Sequence, residues 1–405
     1  MAGRRKERLF QFSLYGLDTN LLVVLFFVMI FGFIMIYSAS YYTAGLSQAY
    51  NHDPMYLLKN QVIYSILGII VMLLVSCVNY HFWCIFALPG YLACIVLVLL
   101  LKVPSIAVTV KGATRWLRIG PVQFQVAEPV KLLMIVVMAT LIVIRRHRLR
   151  RWKYMLQLII PPAIVSAMIL KISNNMSTAA ILLGTAVFMI YVVHPEQWKF
   201  ILCGAAVAAL VAGVLYYVKS LDPLQMENNF RLIRIRAWLY PYEYEQDKAF
   251  QSLQGLYAIG SGGLWGRGLG NSIQKLGKIP EPYNDYIFAI ICEELGIFGA
   301  GLIILLFIYL LYRIYTVSQL AEDLLGRMIS IGVLSHIALQ VILNLMVVTN
   351  LFPTTGVTLP FFSYGGTATV FLMIEIGLVL SVNKYSVKRR MEYERERERE
   401  RMRRY

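Results

Sequence analysis

The sequence predicts an all-α, polytopic integral membrane protein with about ten transmembrane helices and a large extracytoplasmic loop between spans 7 and 8. Three observations carry that prediction. The 405-residue chain is 59% hydrophobic, with a mean hydropathy of +0.64, whereas soluble proteins are roughly 45–50% apolar. Apolar runs close to the ~20 residues that cross a bilayer recur along its length. Basic residues gather between those runs, where they orient a membrane protein.

Residues 1–20 are a short leader containing Arg4, Arg5, Lys6 and Arg8, and residues 21–37 form the first apolar run. A secretory signal peptide has the same outline, and Ser38-Ala39-Ser40 resembles its cleavage site. The run exceeds an h-region of about 7–15 residues, which favours an uncleaved span. Further spans are expected at 60–78, 81–101, 126–144, 154–170, 177–193, 199–217, 286–312, 328–349 and 361–382. An even number returns both termini to one side. The leader, residues 145–153 (RRHRLRRWK), residues 312–327 and the tail after Lys384 share that side, which the positive-inside rule makes cytoplasmic. The organisation is thus a leader (1–20), a membrane domain (21–384) with its outer loop at 219–284, and a charged tail (385–405). Residues 102–125, 219–284 and 350–360 then face outward, so any chemistry in them is extracytoplasmic.

Several function classes fall away. The net charge of +16 sits beside membrane spans, so it argues for orientation and not for a nucleic-acid partner. The five cysteines have neither the even count nor the spacing of a disulfide or zinc framework, and read as buried thiols. Gly266, Gly268 and Gly270 suggest a nucleotide loop only loosely: no strand precedes them, and the outer face offers no ATP or NAD. Tight turns, or close approach of a lipid headgroup to the backbone, suit them better. The tail alternates Arg and Glu from Glu394 to Arg401, giving opposite charges at i,i+3 and like charges at i,i+4. That pattern suits a solvated helix or disorder, as a solubilising tail or a docking one.

Three outer stretches can carry chemistry. In the first, KGATRWLRIGPVQFQVAEPVK, Arg115, Trp116 and Arg118 lie on a loop, while Glu128 and Lys131 open a span on one helical face and can pair. Interfacial snorkelling of the two arginines and an aromatic-belt role for Trp116 are the simpler readings. The second runs from Gly260 to Gly296 and places Asp285 at the mouth of a span, as a helix cap or as a general base. Glu293 and Glu294 follow about 12–14 Å deeper, at 1.5 Å per residue, too deep for the same hydroxyl and suited to pairing with other spans. The third, NLFPTTGVTLPFFSYGGTAT, is broken by Pro353, Gly356, Pro360, Gly365 and Gly366. Non-helical backbone at that depth marks the protein interior or a polar cavity. Glu375, inside the last span, is expected to pair with a neighbouring span.

The set GSGGLWGRGLGNSIQKL, NDYIFAIICEELG and PTTGVTLPFFSYGG, with GATRWLRIGPVQFQVAEPVKL upstream, resembles the SEDS family of shape, elongation, division and sporulation proteins. The likeness runs from first span to last and is closer to the FtsW and SpoVE branch than to RodA. It implies a ten-span peptidoglycan glycosyltransferase of the bacterial cytoplasmic membrane that polymerises lipid II on the outer face, partnered by a class B penicillin-binding protein. The family's essential acid falls on Asp285, its RW motif on Arg115 and Trp116, and its PSE-type helix start on Ala127 and Glu128 followed by Lys131. Three departures stand out. A PDLGT-like stretch reads NNMST at 174–178, a carboxylate sometimes found eight residues before the acid is Gly277, and the usual TDF is Asn284-Asp285-Tyr286.

The bond chemistry asks for the same residue types. Making a β-1,4 glycosidic bond requires a base for a sugar hydroxyl and cations for the departing pyrophosphate. Asp285 suits the base; Arg115, Arg118, Lys131, Arg234, Arg236 and Lys275 are cation candidates. Trp116, Glu128, Ser363 and Tyr364 complete the expected substrate-binding set. A divalent cation, Mg or Mn, with Asp285 as its ligand is the alternative to a base. Two other functions compete: a flippase for the lipid-linked precursor, which needs a polar path joining both faces, and a non-catalytic division scaffold.

Overall fold

The computed structural model describes residues 16–110, 112–120, 122–221, 230–247 and 249–403, so most of the basic leader lies outside the described residues. Among the described residues, ten helices are long and apolar enough to cross a membrane. They are α1 (Thr19–Leu46), α2 (Tyr56–Cys77), the pair α3 (Tyr80–Trp83) and α4 (Ala87–Leu100) that together make one span, α5 (Ala127–Arg145), α6 (Trp152–Ile172), α7 (Met176–Val193) and α8 (Trp198–Ser220). After two shorter outer helices, α9 (Phe230–Leu239) and α10 (Phe250–Gly262), come α11 (Ile287–Leu320), α12 (Leu324–Val348) and α13 (Gly366–Met402). The protein is a multi-pass membrane protein.

Small residues decide where these helices meet. Ser38, Ala39 and Ser40 lie inside α1 and are buried, so the cleavage-like tripeptide is a packing surface. Gly32 of α1 faces the backbone of Phe361 so closely that a Cβ there would sit 2.5 Å from its carbonyl oxygen. In contrast, α8 is exposed along almost all of its length.

One end of the bundle is stitched by charge. Asp18 caps α1 by accepting from the Leu21 N–H at 2.9 Å, and also accepts from Arg313 Nη2 at 2.6 Å. Asn383 of α13 donates to the Gly16 carbonyl at 2.8 Å. The charged tail continues α13 as helix, and Arg389 pairs with Glu322 beside the α11–α12 turn. The end of the leader, residues 312–327 and the tail therefore meet as expected.

The opposite end holds more structure than the sequence suggested. Within residues 102–125 lies an antiparallel sheet, β1 (Ala107–Val110), β2 (Ala113–Ile119) and β3 (Val122–Gln125), in the order β1-β2-β3. The chain is otherwise helical, in keeping with the expected all-α class, but Arg115, Trp116 and Arg118, expected on a loop, lie on β2. Gly112 and Gly120, both at positive φ, turn the chain between strands. The last span also starts later than expected. Residues 361–365 are not helical, because Phe361 adopts a φ of 63° and the helix begins only at Gly366.

The centre of the fold is an exchange of backbone hydrogen bonds at Gly296 in α11, where φ is 67° and the helical ladder breaks. The Glu293 and Glu294 carbonyls accept instead from Arg267 N–H (2.9 Å) and Gly268 N–H (3.0 Å). The displaced Ile297 and Phe298 N–H groups donate to Gly263 (3.0 Å) and Leu264 (3.3 Å). The glycine-rich stretch thus enters the membrane depth as a re-entrant turn whose polar backbone is paired, as a bilayer demands. Gly266, Gly268 and Gly270 all take positive φ, in keeping with the expected tight turns, and close packing acts at two positions: a Cβ on Gly262 would lie 1.9 Å from the Cys292 carbonyl oxygen, and one on Gly266 2.2 Å from that of Glu294. Gly266→Ala is expected to cost roughly 2–4 kcal/mol, read as a lowered thermal midpoint of the purified protein, whereas Gly260→Ala, with open space around it, should leave the midpoint within error of wild type.

Candidate active site

Asp285 sits half-buried on the turn that leads into α11, and the backbone carbonyls of residues 283–285 are each held. Asn344 of α12 donates to the Asp285 carbonyl at 2.8 Å and to the Val357 carbonyl at 2.7 Å. Ser363 Oγ donates to the Asn284 carbonyl at 2.6 Å while accepting from the Leu359 N–H at 2.7 Å. The Tyr364 N–H donates to the Tyr283 carbonyl at 2.9 Å. The broken segment 349–365 is therefore a strap across the Asp285 turn. Gly356 lies over the carboxylate, since a Cβ there would stand 3.8 Å from Asp285 Oδ2. The N-cap position of α11 falls on Tyr286, without a side-chain cap, so the helix-cap reading of Asp285 is not realised there.

The strap is braced from several sides. Ser177 at the start of α7 donates to Thr355, and Trp238 of α9 donates to Asn350 at its entrance. Glu128 and Lys131 form the expected pair at 3.0 Å, both buried. Lys131 also donates to Gln340 Oε1 at 3.2 Å, and Gln340 Nε2 donates to the Thr358 carbonyl at 3.1 Å. Gln340 and Asn344 are i,i+4 neighbours on one face of α12, so a single helix face fixes both the strap and the Asp285 turn.

The cation candidates separate. Arg115 donates to the Ser173 and Asn174 carbonyls at 3.4 and 3.3 Å. Burial, and then the nearby Arg234 guanidinium, hold its pKa below the ordinary range. Arg234 reaches solvent, yet protein atoms crowd it enough to lower its pKa as well. The two share one electropositive patch. Arg118 lies an odd number of residues along β2 from Arg115, so the two point to opposite sheet faces; Arg118 bonds Gln123 across the strands at 2.9 Å, and Trp116 is half-buried. Arg236 donates to the Leu221 carbonyl at 2.8 Å and lies over Tyr240.

Lys275 is placed quite differently from a surface clamp. Its ammonium donates to Glu294 at 2.6 Å and to Ser38 of α1 at 2.9 Å, in a buried cluster. Glu294 thus pairs with the re-entrant turn and meets another span, as expected, through Ser38 Oγ of α1 at 2.7 Å, whereas Glu293, expected to do the same, is taken up by the re-entrant turn through Ser272 Oγ (2.5 Å) and the Ile273 N–H (3.0 Å). Glu375 pairs with His336 of α12 at 2.8 Å, the neighbouring-span contact foreseen for it. Among the described residues no group of three His, Cys, Asp or Glu side chains is placed to hold a metal. For the alternative Mg or Mn ion, Asp285 would supply the protein carboxylate, and the other oxygens would come from water and substrate phosphate. Sequence reasoning missed Asn344 and Gln340; two amides four residues apart within an apolar span were the available signal.

A sequence profile for the cell cycle proteins FtsW, RodA and SpoVE matches residues 18–388. The chain belongs to that family. This family member is 33% identical over 369 residues to the stage V sporulation protein E of Bacillus subtilis (strain 168), covering 91% of this chain and 97% of the relative. It is 34% identical to a probable peptidoglycan glycosyltransferase FtsW of Geobacter sp. (strain M18), with 91% and 97% covered. Its fold matches a chain from a structure of a peptidoglycan synthase complex that coordinates polymerization and crosslinking. The TM-score is 0.72 at 25% identity, over 92% of this chain and 99% of that one.

The buried cluster gives a test of its own. Removing one partner of a buried ion pair typically costs about 3–5 kcal/mol, so Lys275→Met should lower the thermal midpoint sharply. Lys275→Met combined with Glu294→Gln should recover most of that loss in the same unfolding measurement.

Proposed function

We propose that this family member is a peptidoglycan glycosyltransferase that polymerises lipid II at the outer face of the bacterial cytoplasmic membrane. The observation that carries the reading is the Asp285 turn: its backbone carbonyls are fixed by Asn344, Ser363 and Tyr364, which sets the carboxylate's place before substrate arrives. The names of its relatives support the reaction class. The positive-inside rule supports the orientation, since the end with the tail and residues 312–327 is the basic one and Asp285 lies at the other.

In the reaction the 4-hydroxyl oxygen of one sugar bonds to the anomeric carbon of the next. The bond from that carbon to the pyrophosphate breaks, and the pyrophosphate leaves with the electron pair. The hydroxyl proton passes to the Asp285 carboxylate, a step worth about 10²–10⁴ in rate. Arg115 and Arg234 are the cations for the pyrophosphate: two crowded guanidiniums repel each other until a multivalent anion lies between them. Glu128, Lys131, Ser363 and the Tyr364 backbone act by holding the strap, while Lys275 and Arg236 hold the outer loop and the re-entrant turn. A class B penicillin-binding protein is the expected partner, in keeping with the polymerization and crosslinking complex of the matching fold.

Polymerisation of labelled lipid II by the purified protein with its penicillin-binding partner tests this. Long glycan strands are expected from wild type, with Asp285→Asn reduced about 10²–10⁴-fold at matched folded yield, and Arg115→Gln raising KM more than it lowers kcat. Equal product from wild type and Asp285→Asn would remove the general base from the mechanism. Transfer of lipid II across proteoliposome bilayers without polymer would replace the enzyme with a transporter.

A further inference from the structure

A second buried site lies deeper in the bundle, among α5, α7 and α12. Lys131, Thr185 and His336 line a cavity of about 10 Å³ whose remaining walls are Met, Leu, Ile and Ala side chains. That is close to the smallest space that admits one water molecule. Among the described residues, two of the three polar side chains hold buried atoms without a protein partner, His336 Nε2 and Thr185 Oγ1. The third, Lys131, has three N–H donors and bonds to Glu128 and Gln340.

The proton on His336 follows from charge balance. His336 Nδ1 and Glu375 Oε2 are 2.8 Å apart, and both side chains are about 1% exposed. A net charge at that depth is costly, so the pair is neutral as a whole. Two arrangements are neutral: imidazolium with carboxylate, or neutral imidazole accepting a proton-bearing carboxyl at Nδ1. Both put a hydrogen on Nε2. His336 therefore presents a donor, Lys131 a second donor, and Thr185 a hydroxyl that can accept. One water oxygen can accept from the first two and donate to the third, within the two to four partners that buried waters make.

We infer that this cavity binds one ordered water, through which His336, anchored by Glu375, acts as a positioning residue for Lys131. The chain of contacts runs from Glu375 through His336 and the water to Lys131, then through Gln340 to Thr358 on the strap over Asp285. The pair inside the last two spans thereby helps set the geometry of a site that it does not touch. The catalytic part of this inference rests on the polymerase reading above; the water site does not.

Two readouts separate them. A high-resolution structure of the full chain in lipid is expected to show one water within hydrogen-bonding distance of Lys131 Nζ, His336 Nε2 and Thr185 Oγ1. Nitrogen NMR of the protein labelled at its five histidines is expected to show His336 protonated at Nε2. A cavity without that water, or an unprotonated Nε2, overturns the water site even if wild type polymerises lipid II. In the same polymerisation assay Thr185→Val, nearly isosteric, should remove the water and lower kcat about tenfold, as small misplacements at a site can, with KM unchanged. His336→Leu with Glu375→Leu, which leaves no charge unpaired, should do the same. Wild-type kcat in both variants would refute the positioning role and leave the polymerase reading intact.

Discussion

The side-chain amide of Asn344 ties two segments that would otherwise have no reason to meet. One N–H₂ group reaches the carbonyl of Asp285, at the start of α11, and the carbonyl of Val357, in the strap between α12 and α13. Buried carbonyls must be bonded, and Val357 is buried. Without this amide both would need new partners, and the turn and strap would lose their common register. Ser363 and Tyr364 repeat the arrangement from the strap's far end, so the turn is held along its length.

Two further networks in the outer half of the molecule support that junction. The break at Gly296 lets the re-entrant turn bond to α11, and the Lys275–Glu294–Ser38 cluster fixes that turn against α1. On the other side Glu128, Lys131 and Gln340 hold the strap at Thr358. Each buried charge in these networks has a partner, as it must where desolvation would otherwise dominate. The consequence is division of labour: most ionisable residues in the membrane depth are braces, and Arg115 and Arg234 near the surface are the cations proposed for the pyrophosphate.

Much of this was legible in the sequence. The ten spans, the pairing of Glu128 with Lys131, the broken strap and the place of Asp285 follow from apolar run length, i,i+3 spacing and helix-breaking residues. What remained hidden were contacts between distant segments. Nothing local to Lys275 distinguishes a buried partner for Glu294 from a surface clamp, because the difference lies in the fold of the re-entrant turn. The small sheet was concealed by the weak period-2 signal of short strands, and the strap's hold on Asp285 depends on two amides that carry no charge to flag them. Arg115 and Arg118 looked equivalent on a loop; a strand separates them by face.

The central claim is that Asn344 matters to catalysis only by placing Asp285. A double-mutant cycle on lipid II polymerisation measures this directly, using Asn344→Leu, Asp285→Asn and the pair at matched folded yield. The account predicts that Asn344→Leu alone lowers kcat by roughly 10²-fold and that the pair is no slower than Asp285→Asn by itself. Losses that multiply in the double variant would contradict it, since Asn344 would then serve the reaction by a route independent of Asp285.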